Sequence, residues 1–268
     1  MNQDWAESKI SELLSEALFS RDGFRFSIGI SALRPEEFFA NHGNDEILRQ
    51  RQRLLQGRSA DYMQALKPTH WQALVLLVQQ WEPAAANDDI KSLGCSWEPD
   101  FVVLDRNEPN QVLGGCVCFP SGWSLPDKVG KSLFTTHTPV PGMNQVLAPK
   151  ISQFVSRLDS KRCFQRTNWG LTGSQALDQH PHRRIPAIGV ATDSAKVDLR
   201  IEWQALIGLP PDLILFGIRV FHVPLWRVRA NARLGGLLAE NLASMPGPVA
   251  EYKRLAECRA HLIDYLRS

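Results

Sequence analysis

The chain has 268 residues, 44% of them hydrophobic, and a formal net charge of +2 from 30 basic and 28 acidic side chains. A chain of this length can bury a sizeable core, and we predict one domain over residues 1–268. The nearly balanced charge gives no reason to expect nucleic acid or an anionic membrane as a partner. No apolar run approaches the roughly 18 residues that a membrane-spanning helix needs, so none is predicted.

The cysteines and the N-terminus predict the compartment. The sequence has five cysteines, an odd number, and none of them forms a Cys-x-x-Cys pair. The N-terminus lacks the basic and then apolar order of a signal peptide. Free thiols suit a reducing environment, so the sequence predicts a cytoplasmic protein.

The first third of the chain is predicted to be helical. Asp4 is typical of an N-cap, and apolar residues follow it at helical spacing as far as Leu18. Further helices are predicted over Asp45–Gln56 and Trp71–Trp81. Before Asp45, the segment Phe24–Leu33 shows a weak alternation of apolar and polar residues and is predicted as a strand or an extended arm.

The rest of the chain predicts a sheet followed by helices. The turn-like segment Asn107–Asn110 joins two β-branched runs and predicts an antiparallel hairpin. The predicted elements are strands Phe101–Leu104 and Val112–Phe119, helix Met143–Leu158, a strand around Cys163–Trp169, a polar loop over 173–194, strands Val197–Leu206 and Leu213–Val223, and helices from Arg229 with a break at Met245–Pro248. This order predicts an α+β fold with a largely antiparallel sheet of about five strands, flanking helices and a helical C-terminus.

The strand Val197–Leu206 carries charged residues on one face only. Side chains alternate along a strand, so Arg200, Glu202 and Gln204 share the face opposite to the apolar residues. This pattern is typical of a solvated sheet face, and it also fits a polar wall inside a cavity. The pattern alone leaves both interpretations open.

Arg219 lies in the run Leu213–Phe221, where apolar residues occupy both faces. A buried guanidinium needs a partner, because an unpaired buried charge costs several kcal/mol. A carboxylate side chain would serve, and so would an anionic ligand, which the planar fork can bind through two hydrogen bonds. Both alternatives stay open.

Histidines and cysteines are the candidate metal ligands. His137 lies in Thr135–Gly142 between stiffening prolines, which would hold it in place as a metal ligand or general base requires, although many loop histidines are simply exposed or hydrogen-bonded. His180 and His182 are too few for a convincing metal site. Cys116 and Cys118 point to one side of their strand as small core residues, and a thiolate ligand stays open.

Eight segments, in order, carry a resemblance to a known family. They are Glu98–Asp105 (EPDFVVLD), Gly115–Trp123 (GCVCFPSGW), Asp127–Gly130 (DKVG), His137–Gly142 (HTPVPG), Arg166–Trp169 (RTNW), Leu199–Leu206 (LRIEWQAL) and Leu209–Pro210 with Phe216–Arg219 (FGIR). Together they resemble the haem-dependent oxidative N-demethylase alpha-subunit-like proteins. The resemblance extends over roughly residues 24–225, which leaves a C-terminal helical extension over about 229–268.

The resemblance implies a PAS-like sheet that carries haem b in a pocket. The implied activity is that of a monooxygenase, which uses oxygen to remove a methyl group from a small secondary amine such as dimethylamine. Electrons would come from a separate flavin and iron–sulfur reductase. The sequence has no nucleotide-binding motif of its own, which agrees with a separate electron donor.

The resemblance also implies roles for cofactor-binding residues. His137 would be the axial haem ligand, since it is the histidine within a matching motif. Arg200 and Arg219 would pair with haem propionates or order the pocket.

Further roles concern the substrate and the walls of the pocket. Glu202 would steer a cationic amine or relay protons to oxygen, so Glu202 and Arg200 are the catalytic candidates. Trp123 and Trp169 would form walls beside the haem. Trp203 departs from the basic residue that the resemblance leads us to expect, and this departure affects the substrate more than the cofactor.

Two other functions stay open. A PAS-like protein can bind haem as a sensor or binding module without catalysing a reaction. A family member can also serve as a structural or interaction protein without haem. The retained His137, Arg200, Glu202 and Arg219 argue against the structural protein without haem.

Overall fold

A computed structural model describes residues 3–107 and 109–268 of the chain. In these ranges a central antiparallel sheet is flanked by helices, and the C-terminus is helical. The predicted α+β class and the largely antiparallel sheet are therefore confirmed. The PAS-like assignment and the single domain stay predictions.

The sheet has seven strands within the described ranges, in the order β1-β5-β6-β7-β3-β4-β2, and neighbouring strands are antiparallel. Two of them, the edge strands of three and two residues, were not counted in the predicted five because so few residues show no period. The strands are β1 Ser31–Leu33, β2 Met63–Gln64, β3 Asp100–Asp105, β4 Val112–Cys116, β5 Cys163–Thr172, β6 Asp198–Leu209 and β7 Leu213–Pro224.

The helices lie before, between and after the strands. Those described are α1 Gln3–Leu13, α2 Pro35–Phe39, α3 Asp45–Tyr62, α4 Pro68–Val78, α5 Ile90–Ser96, α6 Leu133–His137, α7 Met143–Val155, α8 Leu225–Ala230, α9 Ala232–Ser244, α10 Gly247–Tyr252 and α11 Arg259–Arg267. The predicted break near Pro246 is confirmed, because α9 ends at Ser244 and α10 begins at Gly247. No helix in the described part of the chain is long and apolar enough to cross a membrane.

Several predicted boundaries are wrong. Helix α1 includes Gln3, so Asp4 lies in its first turn and is not its N-cap, and the helix ends at Leu13 before reaching Leu18. Only the end of the segment Phe24–Leu33 is a strand. Short helices were missed because three to seven residues carry little periodic signal, although side-chain caps start two of them, α5 and α6.

The hairpin of β3 and β4 is confirmed, but β4 ends at Cys116 and not at Phe119. In the predicted turn, Glu108 lies outside the described residues. Asn110 adopts a left-handed conformation with φ of 56°, and its N–H donates to the Asn107 carbonyl oxygen at 2.7 Å. Asparagine tolerates this conformation, which explains its place in the turn.

The two faces of the sheet are covered differently. On one face, Trp203, Phe38 and Phe39 are fully buried in the main hydrophobic core, which is formed with the N- and C-terminal helices. On the other face, α7 covers only the apolar end of the sheet, where a second cluster includes Leu147 and Ile214. Polar side chains of β5, β6 and β7 occupy much of the remainder of this second face.

Candidate functional site

Six polar side chains form a strip on the second face of the sheet. Directly paired residues of antiparallel strands point to the same face, and the register pairs Arg166 with Gln204, Asn168 with Glu202, and Arg200 with His222. We call these six residues the polar strip. Arg200 and Glu202 are only 4% and 8% exposed and Gln204 is also buried, so this part of the face is a buried polar wall, whereas Asn168 at its edge is exposed.

Arg200 orders two loops above the strip. Its guanidinium donates to Ser121 Oγ and His222 Nε2, both at 2.8 Å, and to the carbonyl oxygens of Phe119 and Leu177 at 2.8 and 2.9 Å. Burial lowers the pKa of Arg200 to about 10, and it stays charged at neutral pH. These contacts fit a residue that orders a pocket, one of its two implied roles.

Glu202 is held from three sides. Its Oε1 accepts from Ser121 Oγ at 2.5 Å, while Oε2 accepts from Gln204 Nε2 at 2.8 Å and Asn168 Nδ2 at 3.3 Å. Ser121 therefore joins the side chains of Arg200 and Glu202, because its hydroxyl accepts from one and donates to the other. A carboxylate offers about four lone-pair positions, so Glu202 keeps room for one further donor.

His222 continues the network from Arg200. Burial and the charge of Arg200 lower the pKa of His222 to about 3, so its imidazole is neutral and its Nε2 accepts from Arg200. Its Nδ1 lies 3.4 Å from Asp198 Oδ2. Burial in turn raises the pKa of the Asp198 carboxyl.

Arg166 is a half-buried residue of the strip that was not among the predicted site residues. The guanidinium of Arg166 makes no hydrogen bond or ion pair to the described residues, and its Nε is buried without a partner among them. Burial lowers the pKa of Arg166, while the charge of Glu202 raises it. Its signal in the sequence was the strand period, which places it on the same face of β5 as Asn168.

His137 lies within electrostatic range of Arg166. The residue ends α6, and it was predicted in a loop because the N-cap Ser132, which accepts from the Thr135 N–H at 3.0 Å, was overlooked. Its Nδ1 is buried and has no partner among the described residues. Burial, Arg166 and Lys128 lower the pKa of His137 to about 4, so the imidazole is neutral at pH 7.

The two tryptophans lie in different places. Trp123 packs against the second hydrophobic cluster, which is on the side of the polar strip. Trp169 pairs with Ile201 and therefore points to the opposite face, where its ring lies 5.4 Å from that of Phe19. The Lys253 ammonium group donates to the backbone carbonyl oxygen of Trp169 at 2.8 Å. The structure thus places Trp123 on the side of the strip, and Trp169 on the other side of the sheet.

Arg219 also points away from the strip. It is paired with Trp203 on the helix-covered face, and it forms an ion pair with Glu98 at 2.7 Å. Its other nitrogens donate to the carbonyl oxygens of Phe38 at 2.8 Å and Ala40 at 2.7 Å. Of the two partners left open by the sequence, the structure shows the carboxylate side chain.

The loop over 173–194 is fixed by a second group of titratable residues. Tyr62 Oη donates to Asp178 Oδ2 at 2.8 Å and lies 3.2 Å from His182 Nε2. The rings of His180 and His182 are 4.3 Å apart. The described residues contain no group of three or more His, Cys, Asp or Glu that could hold a metal ion.

Open space remains beside the strip. A Cβ added to Gly170, which is paired with Arg200, would meet no described atom within 4 Å. Two cavities of about 320 and 350 Å³ lie elsewhere, at β1 and among the C-terminal helices, and none of the six predicted site residues lines them. The strip is recognised here by the chemistry of its side chains.

The residues around the strip fit a haem in their chemistry. Iron takes a neutral imidazole as ligand, and His137 is neutral with a buried nitrogen that has no partner. Haem carries carboxylates, and Arg166 is a guanidinium without an acceptor in the described residues. Trp123 supplies an apolar side chain on the same side of the sheet.

The structure is that of an α+β protein with a polar strip on one face of its sheet and a neutral histidine within electrostatic range of that strip. The sequence matches the family described as haem-dependent oxidative N-demethylase, alpha subunit-like, over residues 44–263. This range covers most of the chain, and the chain belongs to this family. The match includes His137 and the whole strip, and it continues through α8, α9 and α10 into α11, beyond the region of the motifs.

Proposed function

We propose that this protein is the haem-binding subunit of an oxygen-dependent N-demethylase that acts on a small secondary amine. The cofactor would be haem b, and the electrons would come from a separate flavin and iron–sulfur reductase. The observation that carries this proposal is the neutral imidazole of His137, unpartnered at Nδ1 and within electrostatic range of the polar strip, in a chain of this family.

His137 would hold the cofactor, and Arg200 would shape the space around it. When bound, haem supplies a redox-active iron for the use of oxygen. Arg200 fixes the carbonyl groups of Phe119 and Leu177, so the loops that carry them stay in place. Trp123 would close one side with its apolar ring.

Glu202 would bind the amine. A small secondary amine is protonated at neutral pH, and a buried carboxylate attracts such a cation strongly because the surroundings screen it weakly. The hydrogen bonds from Ser121, Asn168 and Gln204 orient the carboxylate and leave one acceptor position for an N–H group. Ser121 Oγ, whose hydroxyl donates to Oε1 of Glu202, would be the group that passes a proton to or from that atom.

The proposed reaction balances with electrons from outside the chain. Dimethylamine, one oxygen molecule, two electrons and two protons give methylamine, formaldehyde and one water. We infer a cytoplasmic protein with a PAS-like single domain, and the five free thiols support a reducing compartment.

The test is formaldehyde production by the haem-loaded full chain with a chemical or enzymatic electron donor. We expect formaldehyde and methylamine from dimethylamine in equal amounts, and loss of turnover in Glu202→Gln with haem content preserved. His137→Ala should lose haem, whereas the matched control His261→Ala, at an exposed histidine, should not. Haem binding without turnover of any secondary amine would favour the sensor or binding module. Absence of haem uptake would favour a structural protein.

A further inference from the structure

We propose that Arg166 binds the carboxylate of a ligand at the polar strip. It is the guanidinium on this face without a protein acceptor, and it is half-buried, so a ligand can reach it. The chemistry of the partner follows from Arg166 itself. Only the source of the carboxylate rests on the proposed function.

The other buried arginines show what the fold does with a guanidinium. Arg51 forms an ion pair with Asp100, and Arg219 forms one with Glu98. Arg200 has four close acceptors in side chains and loops. A partly buried charge without a partner costs free energy, so a chain that pairs these three and leaves Arg166 unpaired has a position for an external anion.

Glu202 does not neutralise Arg166. The two residues form no ion pair, and both oxygens of Glu202 already accept hydrogen bonds from Ser121, Asn168 and Gln204. Lys253 depends on the same carboxylate, because Glu202 is the one charge that raises the pKa of Lys253 against burial. Arg166 and Lys253 therefore share Glu202 with Arg200, which is also near Asp100 and Asp178, so Arg166 lacks a counter-charge of its own and its position favours an added anion.

A carboxylate group fits the guanidinium of Arg166 better than a small spherical anion does. The planar guanidinium offers parallel N–H donors that match the two oxygens of a carboxylate. Two sources of this group are compatible with the proposed function. One is a propionate of the haem, and the other is an amine substrate that carries its own carboxylate, such as an N-methyl amino acid held by its ammonium group at Glu202.

The test compares wild type with Arg166→Met, Arg166→Lys and a control, Arg162→Met. Arg162 lies on the same chain segment but is exposed and bound to Asp159 at 3.0 Å. Three probes separate the sources: hemin, hemin dimethyl ester, which lacks free carboxylates, and N-methylglycine. Binding is measured by absorption for the hemins and by thermal unfolding of the apo-protein for N-methylglycine at constant ionic strength.

Each result has a defined meaning. If Arg166→Met lowers the affinity for hemin about 10- to 100-fold but leaves the affinity for the ester unchanged, the carboxylate comes from a haem propionate. If only the response to N-methylglycine is lost, the source is the substrate. Arg166→Lys should keep part of either effect, because it keeps the charge without the fork.

The inference is overturned if Arg166→Met matches Arg162→Met with every probe, or if wild type responds to none of them. Apo Arg166→Met should unfold at a temperature no lower than that of wild type, since the substitution removes an unpaired charge. This control shows that a loss of ligand binding in the variant does not come from misfolding. A wild type that binds N-methylglycine through Arg166 but takes up no hemin would keep this inference and reject the proposed function.

Discussion

The two faces of the central sheet treat their charged groups in different ways. On the helix-covered face, Arg219 is matched by Glu98 and two carbonyl oxygens. On the other face, Arg166 has no side-chain acceptor among the described residues, and His137 has a buried nitrogen without a partner there. The charge of Arg219 is therefore satisfied within the protein, whereas Arg166 and His137 keep polar atoms that no described residue satisfies.

This contrast shows why the kind of residue does not reveal its role. Arg219 and Arg166 are both arginines in strands of one sheet, and both lie in segments that resemble the family. What separates them is the set of acceptors around each guanidinium, which two distant parts of the chain, Phe38–Ala40 and Glu98, supply to Arg219. We therefore expect substitutions on the covered face to reduce stability, and substitutions on the strip to change ligand binding.

Removing the cation from the covered face should have the largest effect. Arg219→Met leaves Glu98 buried without its partner, so we expect a loss of about 3–5 kcal/mol in the free energy of unfolding by urea denaturation. The exposed ion pair of Arg162 and Asp159 gives the control, where Arg162→Met should cost less than about 1 kcal/mol. Equal losses of unfolding free energy in Arg219→Met and Arg162→Met would contradict the expectation that the buried ion pair matters more for stability than the exposed one.

A methyl group added to each face should have unequal effects. A Cβ at Gly217 would lie 2.4 Å from Phe38 Cε1, so Gly217→Ala should cost about 1–3 kcal/mol through overpacking. A Cβ at Gly170 meets open space, so Gly170→Ala should change stability by less than about 0.5 kcal/mol. Thermal unfolding of the two apo variants checks the pair, and a large loss at Gly170 would mean that the strip has no open space there.

The strip should also make stability depend on pH. The pKa of His222 is about 3 in the folded protein, below its ordinary value, so the unfolded chain binds the proton first. The contribution of the neutral His222 imidazole to the free energy of unfolding is fully present above pH 6.5. This contribution is lost as the pH falls towards 3, and the loss at pH 5 is on the order of 1 kcal/mol. His222→Gln keeps an acceptor for Arg200 and should show a shallower loss in urea titrations at successive pH values. An unchanged slope would contradict a neutral His222.

The smallest effect is expected at Ser121. Ser121→Ala removes the acceptor of Arg200 Nε and a donor to Glu202, so we expect a loss of about 1 kcal/mol. The control is Ser156→Ala at the exposed end of α7, whose hydroxyl only meets the Gln153 carbonyl oxygen. Urea denaturation measures both, and identical values would show that Ser121 does not join the two charges.

The long strands of the sheet could be predicted from the sequence because their pattern is strong. The runs around Val197–Leu206 and Leu213–Val223 became β6 and β7, each extended by a few residues. The edge strand β1 was predicted only as part of the longer segment Phe24–Leu33, and β2 could not be predicted, since two residues have no period and their partners lie far away in the sequence. Pairing across the sheet, not local propensity, makes them strands.

The candidate site could be predicted only in part. The alternation of Arg200 and Glu202 placed them on one face, but their burial depends on loops that arrive from Phe119 and Leu177. The strand period also decides against Trp169 as a neighbour of Glu202, because odd and even positions of β5 point to opposite faces. Arg166 could be found only when the acceptors around every arginine were known.

The most direct test of haem binding at this site is an absorption spectrum. The purified full chain is supplied with hemin, freed of excess, and measured before and after dithionite and carbon monoxide. We predict a Soret band at nearly stoichiometric haem that shifts on reduction and again with carbon monoxide, and that weakens in His137→Ala. A protein that stays colourless after hemin treatment would contradict this account of the strip as a haem site.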